Sequence, residues 1–383
     1  MRNAHLIRIV LVASSLLAAR SVFAQAAASR PASAPAFQST DLEFAGGAPD
    51  VTLAATLLLP VGASADARVP GVVLITGSGV QDRDETIVGR KPFRVLAEAL
   101  AARGYAVLRY DDRGSKALGM GASTGSAAGA TLADTALDAR AALQFLATRP
   151  EVDAQRLVAC GHSTGGLEVA MLLRAEAVSG AAVLLAAPTV SGATLLELQS
   201  VKILAATVRL GKLALTEAQV QAAGRVQAEL VRAYLAGDEK ATRAAAEAAV
   251  RFNSALQPAA SAPTGEALDR AASAAIATFK SPWMDHFLRY DPAPDLASSR
   301  VPVLAIFGSL DLQVPPEQNA QPAVNALTAA SQPASVVVTL VGRNHLFQTA
   351  ASGHLAEYGQ LKDEMPPELT DLIADWLDRV LKR

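Results

Sequence analysis

The stretch RLVACGHSTGGLEVA, residues 156–170, places Ser163 between an apolar run and a second run rich in leucine and alanine, with glycines at 161, 165 and 166. Glycines this close to one hydroxyl suit a very tight turn from a strand into a helix: the central residue is strained and its neighbours must lack bulk. Such a turn lifts the serine oxygen above the edge of a sheet. A glycine-rich helix entry with a capping serine would have the same five-residue pattern, so the surrounding sequence has to choose between them.

Around this stretch, apolar runs of strand length alternate with segments of helical periodicity. Strands are expected over 72–76, 106–110, 157–160, 181–186, 303–307 and 335–340, and helices over 92–102, 132–147, 166–175, 317–329 and 367–381. In the first helix Phe93, Leu96, Ala97 and Leu100 recur at helical spacing and Gly104 follows as a stop. Upstream, DLEFAGGAPDVTLAATLLLP (41–60) carries Gly46-Gly47 between two apolar stretches and predicts a hairpin. The alternation implies an α/β class with a mostly parallel, doubly wound sheet. Residues 190–278 break it, being rich in alanine, leucine, glutamate and arginine with no comparable strand. A helical block inserted there is expected to cap the C-terminal edge of the sheet, where ligands of open α/β sheets bind.

A serine hydroxyl needs a base, a group that orients the base, and donors for the oxyanion that forms. Of the five histidines, His5 lies in the N-terminal segment and His162 adjoins Ser163, with its ring expected to point away from the base position. His345 follows the last strand and is the expected base, with His354 and His286 as alternatives. Asp311, just past the 303–307 strand, is the expected acid in preference to Glu317; the position after the 181–186 strand holds Ala187-Pro188-Thr189 and offers no carboxylate. The oxyanion donors are expected from the backbone N–H groups of Thr164 and of Ser78, with Gly79 as the alternative. The Gly77-Ser78-Gly79 loop could also open a nucleotide-binding turn, but QDRDE (81–85) does not read as the start of a phosphate-binding helix.

Taken together, ITGSGVQDRDE, RKPFRVLAEALAARGYAVLRYDDRG, GHSTGG, SPWMDHFLRYDPAP, GSLDLQVPP and NHLFQTA resemble a bacterial α/β-hydrolase family of carboxylesterases related to the serine aminopeptidase-like hydrolases. The resemblance covers most of residues 41–383 and implies an α/β-hydrolase fold with an inserted helical cap and a Ser163–Asp311–His345 triad. Thr164 stands where that family commonly has glutamate in GHSEGG, a position whose backbone does the work. RYDDRGSKALGMGAS replaces the usual RYDDRGxGxS and alters the loop after Asp112.

The reading is a serine esterase for small carboxylic esters that requires no cofactor, with core 39–189, cap 190–285 and second core part 286–383. Its rivals are an amide or peptide hydrolase, which would hold a free amine on cap acids such as Glu229, Asp238 and Glu239, and an idle binding protein on the same fold. Apolar cap residues, among them Leu195, Leu196, Val201, Leu204 and Leu210, are expected to roof the site, so that rates rise over the first few acyl carbons and then fall, with aminoacyl anilides slower than esters.

With a formal charge of -2 and no long basic run, the chain is not expected to bind nucleic acid. Residues 1–24 run from basic Arg2 and Arg8 through an apolar 9–19 to Val22-Phe23-Ala24, the order of a signal peptide cleaved after Ala24. Arg20 interrupts that order, and an uncleaved anchor is the alternative. Residues 25–38, rich in alanine, serine and proline, read as a disordered linker. A periplasmic or secreted protein without stable membrane insertion follows. The single cysteine, Cys160, is expected to be a buried core residue, and metal-ligand spacings are absent.

Overall fold

The structure is a computed structural model that describes residues 36–256 and 263–381. The expected signal segment and nearly all of the expected linker lie outside the described residues. The chain enters a hairpin, β1 (Phe37–Ala45) and β2 (Thr52–Pro60), followed by β3 (Val69–Ile75), α1 (Pro92–Ala102), β4 (Ala106–Tyr110), a one-turn α2 (Ser115–Leu118), α3 (Leu132–Ala147), β5 (Val152–His162), α4 (Gly165–Arg174) and β6 (Ala181–Leu185). Four long helices come next: α5 (Gly192–Arg209), α6 (Glu217–Leu235), α7 (Glu239–Ala255) and α8 (Gly265–Phe279). The remainder is α9 (Pro282–Arg289), α10 (Ala293–Ala297), β7 (Val303–Gly308), α11 (Pro316–Ala329), β8 (Val336–Leu340), a 3-10 turn at Leu355–Gln360 and α12 (Pro367–Val380).

The eight strands form one sheet in the order β1-β2-β4-β3-β5-β6-β7-β8; β2 is antiparallel to both neighbours and all pairs from β4 onward are parallel. Alternate side chains of a strand face opposite sides of a sheet. In β3, Val73 and Ile75 therefore join the core under α3, α4 and α11, whereas Val72 and Leu74 join the core under α1 and α12. Burial on both faces explains why these strands read as continuous apolar runs. In α12, Leu369, Ile373, Trp376 and Leu377 are buried at helical spacing and close the second layer.

Most sequence boundaries hold to within a few residues. β1 begins at Phe37, two residues inside the stretch read as linker, because it pairs with the whole of β2. β5 begins at Val152, well before 157, since its first residue reaches back to pair with Val69. The cap boundary at 285 falls within α9, where Pro282 at a first-turn position starts one continuous helix that leads back into the core. Among the described residues, no helix is long and apolar enough to cross a membrane.

Ile373, fully buried between α12 and the sheet, lies far in sequence from the residues discussed below. Ile373→Ala should lower stability by about 2–5 kcal/mol through lost burial and a residual cavity. Thermal melts of the purified variant check this.

Candidate active site

β5 ends at His162 and α4 begins at Gly165, so Ser163 sits in the turn between them, with φ at +52°. This left-handed conformation is unfavourable for a residue with a Cβ and is held by its surroundings. The Ser163 N–H donates to the Leu185 carbonyl of β6 at 2.8 Å. The neighbouring glycines permit backbone contact: a Cβ on Gly161 would collide with the Gly165 carbonyl, one on Gly165 with the Thr76 carbonyl, and one on Gly166 with the Ala187 side chain. The capping alternative does not describe this turn, for α4 has Thr164 at its N-cap position and no side-chain capping bond. Cys160, two residues before the end of β5, is fully buried and its thiol is pushed up by that burial.

Asp311 lies three residues past the end of β7 and His345 five past the end of β8, both at the C-terminal edge of the sheet. Asp311 Oδ1 accepts from the N–H groups of Gln313 and Val314 at 2.7 and 2.9 Å, while Oδ2 is 2.7 Å from His345 Nδ1. This carboxylate is an acceptor, so His345 holds its proton on Nδ1 and leaves Nε2 free to accept one. The loop is fixed by buried Asn344, whose Oδ1 accepts from Leu346 and Gln348 N–H.

The other candidates fall elsewhere. Glu317 pairs with Lys202 of α5. His354 caps the 3-10 turn through Nδ1 and meets the Thr207 hydroxyl of α5 through Nε2 at 3.1 Å. His286 packs edge-on against Tyr290. Glu229, Asp238 and Glu239 face solvent on the cap, and Asp238 caps α7.

Sequence reasoning missed Glu85. One of its oxygens, Oε1, accepts from the Gly77 N–H at 2.8 Å and from His162 Nδ1 at 2.7 Å, while His162 Nε2 donates to the His345 carbonyl at 3.0 Å. The expectation that the His162 ring points away from the base position does not hold: the ring lies 4.7 Å from that of His345 and braces the loop that carries it. Burial lowers His162, but the Glu85 charge and hydrogen bond together with the His345 carbonyl outweigh it, and it titrates above the usual histidine value. Both ring nitrogens face acceptors, which suits an imidazolium. The acidic end of QDRDE and the His of GHSTGG were the only signals in the sequence, and neither implied the other.

The same loop is bound to the residues after β4. Arg83 makes a two-pronged pair with Asp111 at 2.9 and 2.8 Å, Arg109 pairs with Asp84, and Asp112 accepts from the Thr76 hydroxyl and the Gln81 N–H, both at 2.8 Å. The Gly77 N–H is thus occupied by Glu85, whereas those of Ser78 and Thr164 donate to no acceptor among the described residues.

A cavity of about 300 Å³ adjoins Thr164 and the 76–80 loop. Its roof comes from the end of α8 and the start of α9, through Thr278, Ser281, Trp283 and Met284. This corrects the expected apolar roof: Leu195 and Leu196 belong to the main core, Leu204 is buried without lining the cavity, Val201 packs at Gly224 of α6, and Leu210 is exposed. Cap helices satisfy their apolar faces against one another and the core, which leaves α9 to cover the site. The cavity wall is acidic, with Asp112, Asp138 and Glu168 on it.

The matching family model is that of the serine aminopeptidases, S33, over residues 91–264. A Pyrococcus furiosus esterase superposes with a TM-score of 0.50 at 17% identity, covering 90% of this chain and 92% of its own. An α/β hydrolase of a Penicillium species gives 0.51 at 16%, covering 90% and 100%. A Bacteroides ovatus protein named after dipeptidyl aminopeptidase IV gives 0.52 at 11%, covering 91% of this chain but 36% of its own. No curated protein matches the chain. The structural likenesses show the α/β-hydrolase fold.

Burial pushes Asp112 up to about 8, against its hydrogen bonds from Gln81 and Thr76. A carboxyl raised in the folded state binds a proton that the unfolded chain has released, so stability is greatest below the unfolded value and falls as pH rises toward 8. Glu168 acts in the same direction, and His162 adds to it above about pH 6.5. Stability should therefore fall from about pH 5 to 8, by at most ~1.4 kcal/mol per pH unit for each proton released, and melting temperatures across that range check it. The slope should be shallower in Asp112→Asn.

Proposed function

We propose that this α/β-hydrolase-fold chain is a serine hydrolase that cleaves small carboxylic esters through an acyl-serine intermediate. The observation that carries the reading is the buried Asp311–His345 pair, 2.7 Å apart, on the same sheet edge as the strained Ser163. His345 Nε2 takes the Ser163 proton as Oγ attacks the ester carbonyl. The imidazolium that forms is stabilised by Asp311 and gives the proton to the leaving alcohol. Negative charge on the carbonyl oxygen is met by the N–H groups of Thr164 and Ser78, whose donors are otherwise unused. Water activated by the same histidine then releases the acid. These steps need no cofactor.

Amide cleavage uses the same groups, and fold likeness does not choose between the two, since the family description names an aminopeptidase and one structural neighbour is an esterase. Ester cleavage is proposed over removal of an amino-terminal residue because Glu229, Asp238 and Glu239, the cap acids that could have held an α-amino group, face solvent. Export is part of the proposal and rests on the basic, apolar and small-residue order of residues 1–24.

A fluorophosphonate should label Ser163 alone. Ser163→Ala should lose roughly 10³-fold or more in turnover of a chromogenic ester while keeping its melting temperature. His354→Ala and His286→Ala should keep most activity. Labelling elsewhere, or an active Ser163→Ala, would remove the basis of the reading.

N-terminal sequencing of the protein recovered from the periplasmic fraction or medium should begin at Gln25. A chain that begins at Met1 in the cytosolic fraction would exclude export.

A further inference from the structure

Two polar atoms on the cavity beside Thr164, the Tyr110 hydroxyl and Glu168 Oε2, have no hydrogen-bond partner among the described residues. Tyr110, at the end of β4, is 3% exposed, lines the cavity, and its hydroxyl makes no hydrogen bond. Glu168, on α4, is 7% exposed; its Oε1 accepts from Thr135 at 2.7 Å and its Oε2 has no partner. The neighbouring charges are engaged otherwise. Asp138 pairs with Arg113 at 2.6 Å and accepts from Gly47 N–H, Arg113 also donates to the Asp134 carbonyl, and Asp112 holds Thr76 and Gln81.

A polar atom that faces a cavity without a protein partner gains from a ligand that pairs with it. The field here selects the partner. Three carboxyl groups, Asp112, Asp138 and Glu168, line the cavity against one cation, Arg113, which Asp138 already engages. The site is therefore short of positive charge. Among the described residues, no three acidic, histidine or cysteine side chains converge as a metal ion would require, so a group that carries several N–H donors fits better than a bare ion.

Position decides which part of the substrate enters. The leaving group must lie within reach of His345 to be protonated. The cavity is lined by the 76–80 loop, Thr164 and α9, and no residue of the 344–348 loop lines it. It therefore takes the acyl part. Glu168 is four residues beyond Thr164, about 6 Å along the helix at the usual rise. A group that reaches it from the carbonyl bound at Thr164 spans about four to six bonds.

We propose that the cavity is an acyl pocket for an acid that carries a protonated amine at the far end of a short chain, with the ammonium seated between Glu168 Oε2 and the Tyr110 hydroxyl. The assignment of this pocket to the acyl group rests on the hydrolase reading. An α-amino group would lie too close to the carbonyl to reach Glu168. The neutral methyl end of an alkanoyl chain would leave both polar groups unpaired. Because burial holds Glu168 well above the usual carboxylate range when the cavity is empty, seating a cation there ionises it and releases a proton to solvent.

The test is calorimetric titration of the full-length Ser163→Ala protein with 5-aminopentanoate, its neutral-ended isostere hexanoate, and the α-amino acid norleucine, in buffers of different ionisation enthalpy. We expect 5-aminopentanoate to bind at least about 10-fold tighter than either of the others, with release of protons. Tyr110→Phe, which keeps the ring, and Glu168→Gln should each reduce that preference several-fold in protein whose melt shows it folded. Hexanoate or norleucine binding equally well would overturn the proposal. So would a preference that survives both substitutions, or the absence of saturable 5-aminopentanoate binding to folded protein. Binding does not need catalysis, so failure of the hydrolase reading appears separately, as loss of fluorophosphonate labelling and of ester turnover.

Discussion

One carboxylate oxygen, Glu85 Oε1, holds three segments in register. It accepts from Gly77, which positions the loop after β3, and from His162, the residue before the strained serine; His162 in turn donates to the backbone at His345. The loop after β3, the Ser163 turn and the loop of His345 are thus linked through one buried ion pair. A buried pair of this kind is costly to break, because removal of either partner leaves an uncompensated charge in a dry site. Glu85 itself has φ at +52°, so the loop takes up strain to bring its side chain there.

The next layer outward is also charged, and it divides the work differently. Arg83–Asp111, Arg109–Asp84 and Arg113–Asp138 anchor the loops after β3 and β4 to each other and to α3. These pairs neutralise most of the acids near the site. Glu168 is left without a cation of its own, which is why the cavity wall keeps an acidic character under a roof that includes Trp283 and Met284. Under the proposed reading, this polar far wall limits acyl length by desolvation rather than by a shut apolar roof, because each methylene pressed against Glu168 forfeits the benefit of its burial.

Much of the fold was legible because two-sided burial forces strands to be apolar throughout and helices to repeat every three to four residues. α1 (Pro92–Ala102) and α3 (Leu132–Ala147) match the sequence expectation at both ends. The misplaced start of β5 has a different origin: DAQR after Val152 carries no run of strand-forming apolar residues and lies in a register shift between the Val69–Val152 and Gly71–Leu157 pairs with β3. The roof was misjudged for a related reason. Periodicity shows that Leu195, Leu196 and Val201 face inward, but does not show against what, and the main core and α6 supplied the surface.

The sequence by itself determined the strand-to-helix turn at Ser163, the place of Asp311 and His345 after successive strands, and the position of an inserted helical block. These depend on local geometry and chain order, which glycine spacing and hydrophobic period report directly. Tertiary structure alone decided that Glu85 meets His162, that Asp112, Asp138 and Glu168 face one cavity with the Tyr110 hydroxyl, and that α9 covers it. Each of these joins residues far apart in the chain through side chains whose charge could equally have been solvated, so no local pattern records them.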